Sequence, residues 1–200
     1  MADKTIISKA IKEQILNGET NQIYFIDDFA HLDNDVAVTR AMSRLVEEGT
    51  LVRIAQGIYL YPNRTRFGIQ YPSIDRIAHS IAQKDKAEII PSGYTAINVL
   101  GLSTQVPMNA IYITNGSPRC VNVGGRKIMF KFGNARLFAF KSRLFAMAVL
   151  AMKEIGEKNI TPEEVEHIKQ ILLASSELEL IQQDYLIAPR WIRRVLKLTA

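Results

Sequence analysis

The stretch RLVEEGTLVRIAQGIYLYP, residues 44–62, decides how the first third of this chain is read. It opens as the end of a helix and stops at Gly49. It then passes into the alternating TLVRIA, turns at Gln56-Gly57 and closes on IYLYP. Gly57 can take positive φ without steric cost, which a tight hairpin turn requires. Upstream, DNDVAVTRAMSRLVEEG begins on the cap-type residues Asp33, Asn34 and Asp35. Val38, Met42, Leu45 and Val46 form its apolar stripe, with Ala37, Arg40, Ser43, Arg44 and Glu47 on the other side. Further back, TIISKAIKEQIL (5–16) sets Ile7, Ala10, Ile11 and Ile15 at helical spacing, and Gly18 stops that helix. Between the two helices, IYFI is β-prone and DDFAHL reads as one or two helical turns.

Helix, short strand, helix, helix, hairpin is the order of a winged helix-turn-helix domain, expected over 1–66. PNRTRFGIQYP, 62–72, is polar with two Pro and one Gly and reads as a linker. A larger mixed α/β domain is expected over 67–200. Its helix at 73–84 is followed by the strand AEII and the helix SGYTAINVLGL, which closes near Gly101. AIYITN, RCVNV and KIMFKF are strands of a small antiparallel sheet, the last two joined by Gly124-Gly125. Helices then cover about 136–156, 162–174, 175–184 and 189–198. Thr161-Pro162 starts the second of these with Thr at N-cap and Pro at N1. The fold class expected is therefore α+β.

The 200 residues are 48% hydrophobic and 22% charged, enough for a packed core. The formal charge is +5, unevenly spread. Residues 1–66 carry −1, 89–153 carry +8 with no acid at all, 154–184 carry −6 and 185–200 carry +4. Cys120 is the only cysteine, which excludes an intramolecular disulfide and a Cys-rich zinc site. His31, His79 and His167 lie far apart, without metal-ligand spacing. No metal or other cofactor is expected. The N-terminus lacks an apolar run of signal-peptide type. The longest apolar run, LFAMAVLAM (144–152), is far short of the ~20 residues a bilayer needs and reads as a buried helix. No membrane association and a cytoplasmic location are expected.

Winged helices lay one helix in the major groove and set a hairpin against the flanking backbone. Ala37, Arg40 and Arg44 stand at i, i+3, i+7, and arginine suits bidentate contact with guanine edges or phosphate. Thr39 and Ser43 can bond base or phosphate. Arg53 on the first wing strand, Gln56 and Gly57 in the turn, and Arg64 and Arg66 beyond it are expected to hold the backbone. Residues 36–66 hold five Arg against two Glu, so a near-neutral module can still present a basic face.

VTRAMSRLVEEGTLVRIAQGIYLYP resembles the N-terminal winged helix of AbiEi-type antitoxins, which read RLV-x-x-G-x-L-x-R and then G-x-Y. SGYTAINVLGLSTQVP followed by IYITNG resembles the start of their second domain, so the likeness spans about 36–116. The resemblance implies a bacterial type IV toxin–antitoxin system. Its antitoxin binds inverted repeats in the double-stranded DNA of its own promoter and represses transcription, while the C-terminal domain carries antitoxicity. The toxin is a nucleotidyltransferase encoded alongside, and direct contact with it is not required. Carried over by position, Arg40, Ser43 and Arg44 fall on the reader helix and Arg53, Gln56 and Gly57 in the wing.

The acid-free segment offers a second basic surface through Arg126, Lys127 and Lys131, joined by Arg190, Arg194 and Lys197 of the last helix. It can instead dock the acidic helices of 154–184. On the strand, Ile128, Phe130 and Phe132 are expected to face the core. On the last helix, Trp191, Val195 and Leu198 are expected to pack. Gly93, Tyr94 and Asn98 are candidates to face a partner, with Ser92 capping their helix. No nucleophile elbow, Walker or Rossmann glycine pattern occurs, and clustered carboxylates for nucleotidyl transfer are missing. A binding protein, not an enzyme, is expected. The alternative is a winged-helix regulator whose second domain senses a small ligand or mediates protein contacts.

Overall fold

A computed structural model describes residues 4–198. The chain divides into two units, residues 1–80 with 121–125, and 81–120 with 126–200. The boundary falls inside the third α-helix of the chain, α3 (Ile74–Lys84).

The first unit opens with α1 (Lys4–Leu16), whose Ile7, Ile11 and Ile15 are all buried, one turn apart. Strand β1 (Gln22–Phe25) and a 3-10 helix (Ile26–Leu32) follow, with Asp28 accepting the Phe25 N–H at 2.8 Å. Helix α2 (Asp35–Glu47) begins at Asn34, whose side chain accepts the Ala37 N–H at 3.0 Å. Strands β2 (Val52–Ala55) and β3 (Ile58–Tyr61) form the hairpin expected around Gly57, which takes φ +74°. A bulge interrupts β2 between Arg53 and Ala55. Strand β1 pairs antiparallel with β3, so the sheet runs β1-β3-β2. Phe29, Val38, Ala41, Met42, Leu51 and Tyr59 fill the space between helices and sheet.

Residues 62–72 are not the linker expected of them. They hold a second antiparallel hairpin, β4 (Asn63–Thr65) with β5 (Gly68–Gln70), in the register Asn63↔Gln70, Arg64↔Ile69, Thr65↔Gly68. Three-residue strands of mostly exposed residues have no buried face to give them a period. The Asn63 side chain donates to Gln70 at 2.8 Å, and the Thr65 hydroxyl both donates to Gly68 O and accepts from Phe67 N.

In the second unit β6 (Ile89–Ser92) and β7 (Asn109–Thr114) are antiparallel, but β7 and β9 (Arg126–Phe132) are parallel. With β8 (Arg119–Val123) the order is β6-β7-β9-β8, a mixed sheet where an antiparallel one was expected. The first strand begins two residues later than AEII suggests. Helix α4 (Tyr94–Val99) is capped by Gly93, at φ +58°, and Ser92 is the last residue of β6 instead of the cap. On β9, Ile128 and Phe130 are buried, but Phe132 is exposed.

The helix expected over 136–156 is two: α5 (Ala135–Phe138) and α6 (Arg143–Ile155). Ser142 starts α6 afresh by accepting the Phe145 N–H at 3.1 Å. Every residue from Phe145 to Met152 is buried, so the LFAMAVLAM run is the core helix it reads as. Helices α7 (Pro162–Leu173), α8 (Leu178–Tyr185) and α9 (Arg190–Leu196) contribute Ile168, Leu172, Ile181, Ile192 and Leu196 to the same core. The fully buried residues of α9 are Ile192 and Leu196, Leu198 beyond the helix is buried as expected, and Trp191 and Val195 pack against the same core. Trp191 and Val195 are only half-buried. Among the described residues no helix is long and apolar enough to cross a membrane.

Candidate nucleic-acid interface

Burial of Val38, Ala41, Met42 and Leu45 fixes the rotation of α2, and with it the face left outside. That face runs Val36, Thr39, Arg40, Ser43 and Glu47, all exposed. Ala37, expected on it, is only 8% exposed and belongs to the core. At about 100° per residue, position 37 lies about 20° from Arg44 but only about 40° from the buried Ala41, so it sits at the edge of the buried stripe, where packing covers it. Val36, 63% exposed, occupies one end of the outer face and is the residue that sequence spacing missed.

The arginines of this unit differ in freedom. Arg40 makes no hydrogen bond or ion pair with any described residue. Arg44 is exposed but donates to the Ser8 hydroxyl on α1 at 3.0 Å, and Lys12 bridges from α1 to Glu48 at 2.8 Å. These contacts tie α1 to the C-terminal half of α2. The Lys12 hydrogen bond, with the charges of Lys12 and Arg44 adding to it, holds the Glu48 carboxyl below its ordinary value of 4.5. The Ser43 hydroxyl donates back to Thr39 O at 2.9 Å, leaving its oxygen as an acceptor.

On the first hairpin, Arg53 and Gln56 are exposed, and Arg53 Nε reaches Ala55 O at 3.4 Å across the bulge. The second hairpin supplies the other two. Arg64 donates to the carbonyl of Gly49, clasping β4 to the chain just after α2. At the tip the Arg66 guanidinium lies 4.7 Å from the centroid of the Phe67 ring, which is 85% exposed. Phe67 is the second residue missed from sequence; a Gly immediately after Arg-Phe was the available turn signal.

Two of the six residues of the expected second basic surface have partners of their own. Arg126 turns onto Pro107 O at 3.2 Å, and Arg194 pairs with Glu157. Lys127, Lys131, Arg190 and Lys197 are exposed, and Arg190 lies beside Arg136 and Lys153. Nor do the acidic helices neutralise most of 89–153. Arg119 pairs with Asp85 and Arg143 with Glu88, both acids just ahead of the sheet. Among the described residues, the polar contacts between 89–153 and the acidic helices are made by Lys141, Ser142 and the Leu100 carbonyl, which lies 2.9 Å from His167 Nε2. The Lys141 and Ser142 backbone N–H groups donate to Asp184 at 3.0 and 2.7 Å, the Ser142 hydroxyl donates to Glu177 at 2.7 Å, and Lys141 Nζ donates to Gln183. Of the three candidates to face a partner, Gly93 is buried, with the Glu154 carboxylate above it, and Asn98 donates to Ser103 O at 3.0 Å. Of the three, Tyr94 alone is exposed. No group of three or more His, Cys, Asp or Glu among the described residues is placed to hold a metal ion.

In class, this is a mixed α and β protein of two units, the first presenting an unpaired arginine on an exposed helix face, with arginine-bearing hairpins following it. Residues 10–180 match the family of unknown function DUF6088, and the chain belongs to that family. No curated protein matches it.

Proposed function

We propose that the first unit is a winged-helix DNA-binding module, that α2 enters the major groove, and that the protein is a repressor of its own promoter. The observation that carries this reading is Arg40: exposed, unpaired, and flanked on one helix face by Thr39 and Ser43. The element order and the β1-β3-β2 sheet support it, because they are the arrangement that leaves one helix of such a domain uncovered. Val36 on the same face is suited to a thymine methyl, and Arg53 and Arg66 to phosphates. Arg64 and Arg44 act differently on this reading. Their guanidiniums brace the second hairpin and α1 against α2, and so fix the reader helix.

The likeness to AbiEi-type antitoxins extends the proposal. The second unit would then carry antitoxicity against a nucleotidyltransferase encoded alongside, and the chain acts by binding instead of catalysis. Footprinting on the DNA upstream of the gene tests the repressor reading: protected inverted repeats are expected, and uniform cleavage along the fragment refutes it. Rescue of growth on co-expression with the adjoining reading frame tests the antitoxin reading separately.

A further inference from the structure

The second unit contains a pocket of about 360 Å³ enclosed by α5, α6 and the segment joining α8 to α9. Its walls are apolar: Leu137 and the nearly buried Phe140 from around α5, Val149 from α6, and Ile187, whose 53% exposure lies at the opening. Into this apolar space come three cations from three different helices, Arg136, Lys153 and Arg190, and no carboxylate lines it. None of the three makes an ion pair or hydrogen bond with another described residue. Elsewhere in the same unit arginines find acids, as Arg119, Arg143 and Arg194 do with Asp85, Glu88 and Glu157.

Three like charges around one small opening repel one another, and they do so more strongly where apolar walls displace water. An anion in the middle reverses the sign of all three interactions. Asn134 adds a neutral donor. Its side-chain oxygen is occupied by the Leu137 N–H at 3.2 Å, leaving the amide N–H₂ available at the rim. The volume lies in the range of small-molecule sites, ~300–1,000 Å³. The lining also has the composition of such sites: mostly apolar wall with a few convergent polar groups.

We propose that this pocket binds a small organic anion, with a compact apolar or aromatic body against Phe140 and Val149 and a phosphate or carboxylate among Arg136, Lys153 and Arg190. Arginine grips either headgroup through two parallel N–H bonds, and lysine adds a point charge. The site lies wholly within the second unit, so it stands or falls independently of DNA binding by the first.

Phenyl phosphate is the probe, added to the full-length, isotope-labelled protein and followed by amide chemical shifts. Saturable shifts are expected at Leu137, Val149, Lys153 and Ala188, with one site per chain. Inorganic phosphate, which lacks the body, and phenol, which lacks the charge, are each expected to bind at least about tenfold more weakly. Arg136→Ala and Lys153→Ala are each expected to weaken phenyl phosphate about tenfold. Arg194→Ala, on the paired cation outside the pocket, is expected to leave it unchanged. Benzoate in place of phenyl phosphate distinguishes the headgroups, and tighter binding of either is consistent with the site. The exposed cations are not core residues, so the variants keep the parent spectrum and isolate binding from folding. Shifts that fail to saturate or fall elsewhere would overturn the assignment. So would equal binding of phenol or of inorganic phosphate, or full affinity in both pocket variants.

Discussion

Arg40→Ala separates reading DNA from holding the fold more cleanly than any other substitution in α2. The side chain is exposed and has no partner among the described residues, and alanine is the stronger helix former. Folding stability is therefore expected to stay within about 0.5 kcal/mol of the parent. If the guanidinium makes a bidentate contact with a guanine, its loss costs about 1–3 kcal/mol of binding, or roughly 5- to 150-fold in affinity. Discrimination against a base change at the contacted position should shrink with it. Arg44→Ala is the comparison: its guanidinium is held by Ser8, so removal should weaken binding less while loosening α1 against α2. Fluorescence anisotropy with labelled promoter DNA, alongside thermal melts of both variants, gives the two quantities. Parental affinity in folded Arg40→Ala would refute the argument, since no other arginine on that helix face is free.

Three further outcomes are expected. Phe67→Ala should leave the melting temperature nearly unchanged, because the ring is exposed, yet lower DNA affinity about fivefold, roughly 1 kcal/mol, if the second hairpin reaches the duplex; unchanged anisotropy titrations would remove that hairpin from the interface. Asp184→Ala should cost about 3 kcal/mol in urea unfolding, because a carboxylate only 2% exposed accepts the Lys141 and Ser142 N–H groups ahead of α6, and about half of that should return in Asp184→Asn; a loss under about 1 kcal/mol would show that α6 starts without this acceptor. Because Lys12 holds the Glu48 carboxyl low, the stability this pair contributes is present at neutral pH and lost as pH falls through the depressed folded value, below the ordinary 4.5; Lys12→Met should raise the Glu48 carboxyl titration toward its ordinary value by carbon NMR, and an unmoved titration would assign the effect elsewhere.

What could be read in advance follows the physics of burial. Helices α1 and α2 and the core helix α6 each bury a regular stripe or a continuous run, and their sequences carry that period. The β2–β3 hairpin announced itself through Gly57, where positive φ is needed. The second hairpin was illegible because neither face of Asn63–Thr65 or Gly68–Gln70 is buried, and side-chain hydrogen bonds do the work of a hydrophobic pattern. The burial of Ala37, and the bond that ties Arg44 to Ser8, were hidden for a related reason. Counting along a helix tells which residues share a face, but the neighbour against each face, here Ser8 on α1, comes from tertiary packing. The parallel β7–β9 pairing had no sequence signal either, since alternation is the same whichever way the neighbouring strand runs. The convergence of Arg136, Lys153 and Arg190 brings α9 back beside α5 and α6, so composition showed only the excess of charge and not its meeting point.

Duplex DNA binding by the first unit through a few arginine contacts is tested most directly by the salt dependence of promoter binding. Three to five phosphate contacts predict that log K falls against log salt with a slope of about −2.7 to −4.5, a loss of roughly 40- to 500-fold between about 50 and 200 mM salt. Promoter DNA should also outcompete unrelated duplex throughout that range. Equal affinity for unrelated DNA, or no binding at the lowest salt, would contradict it.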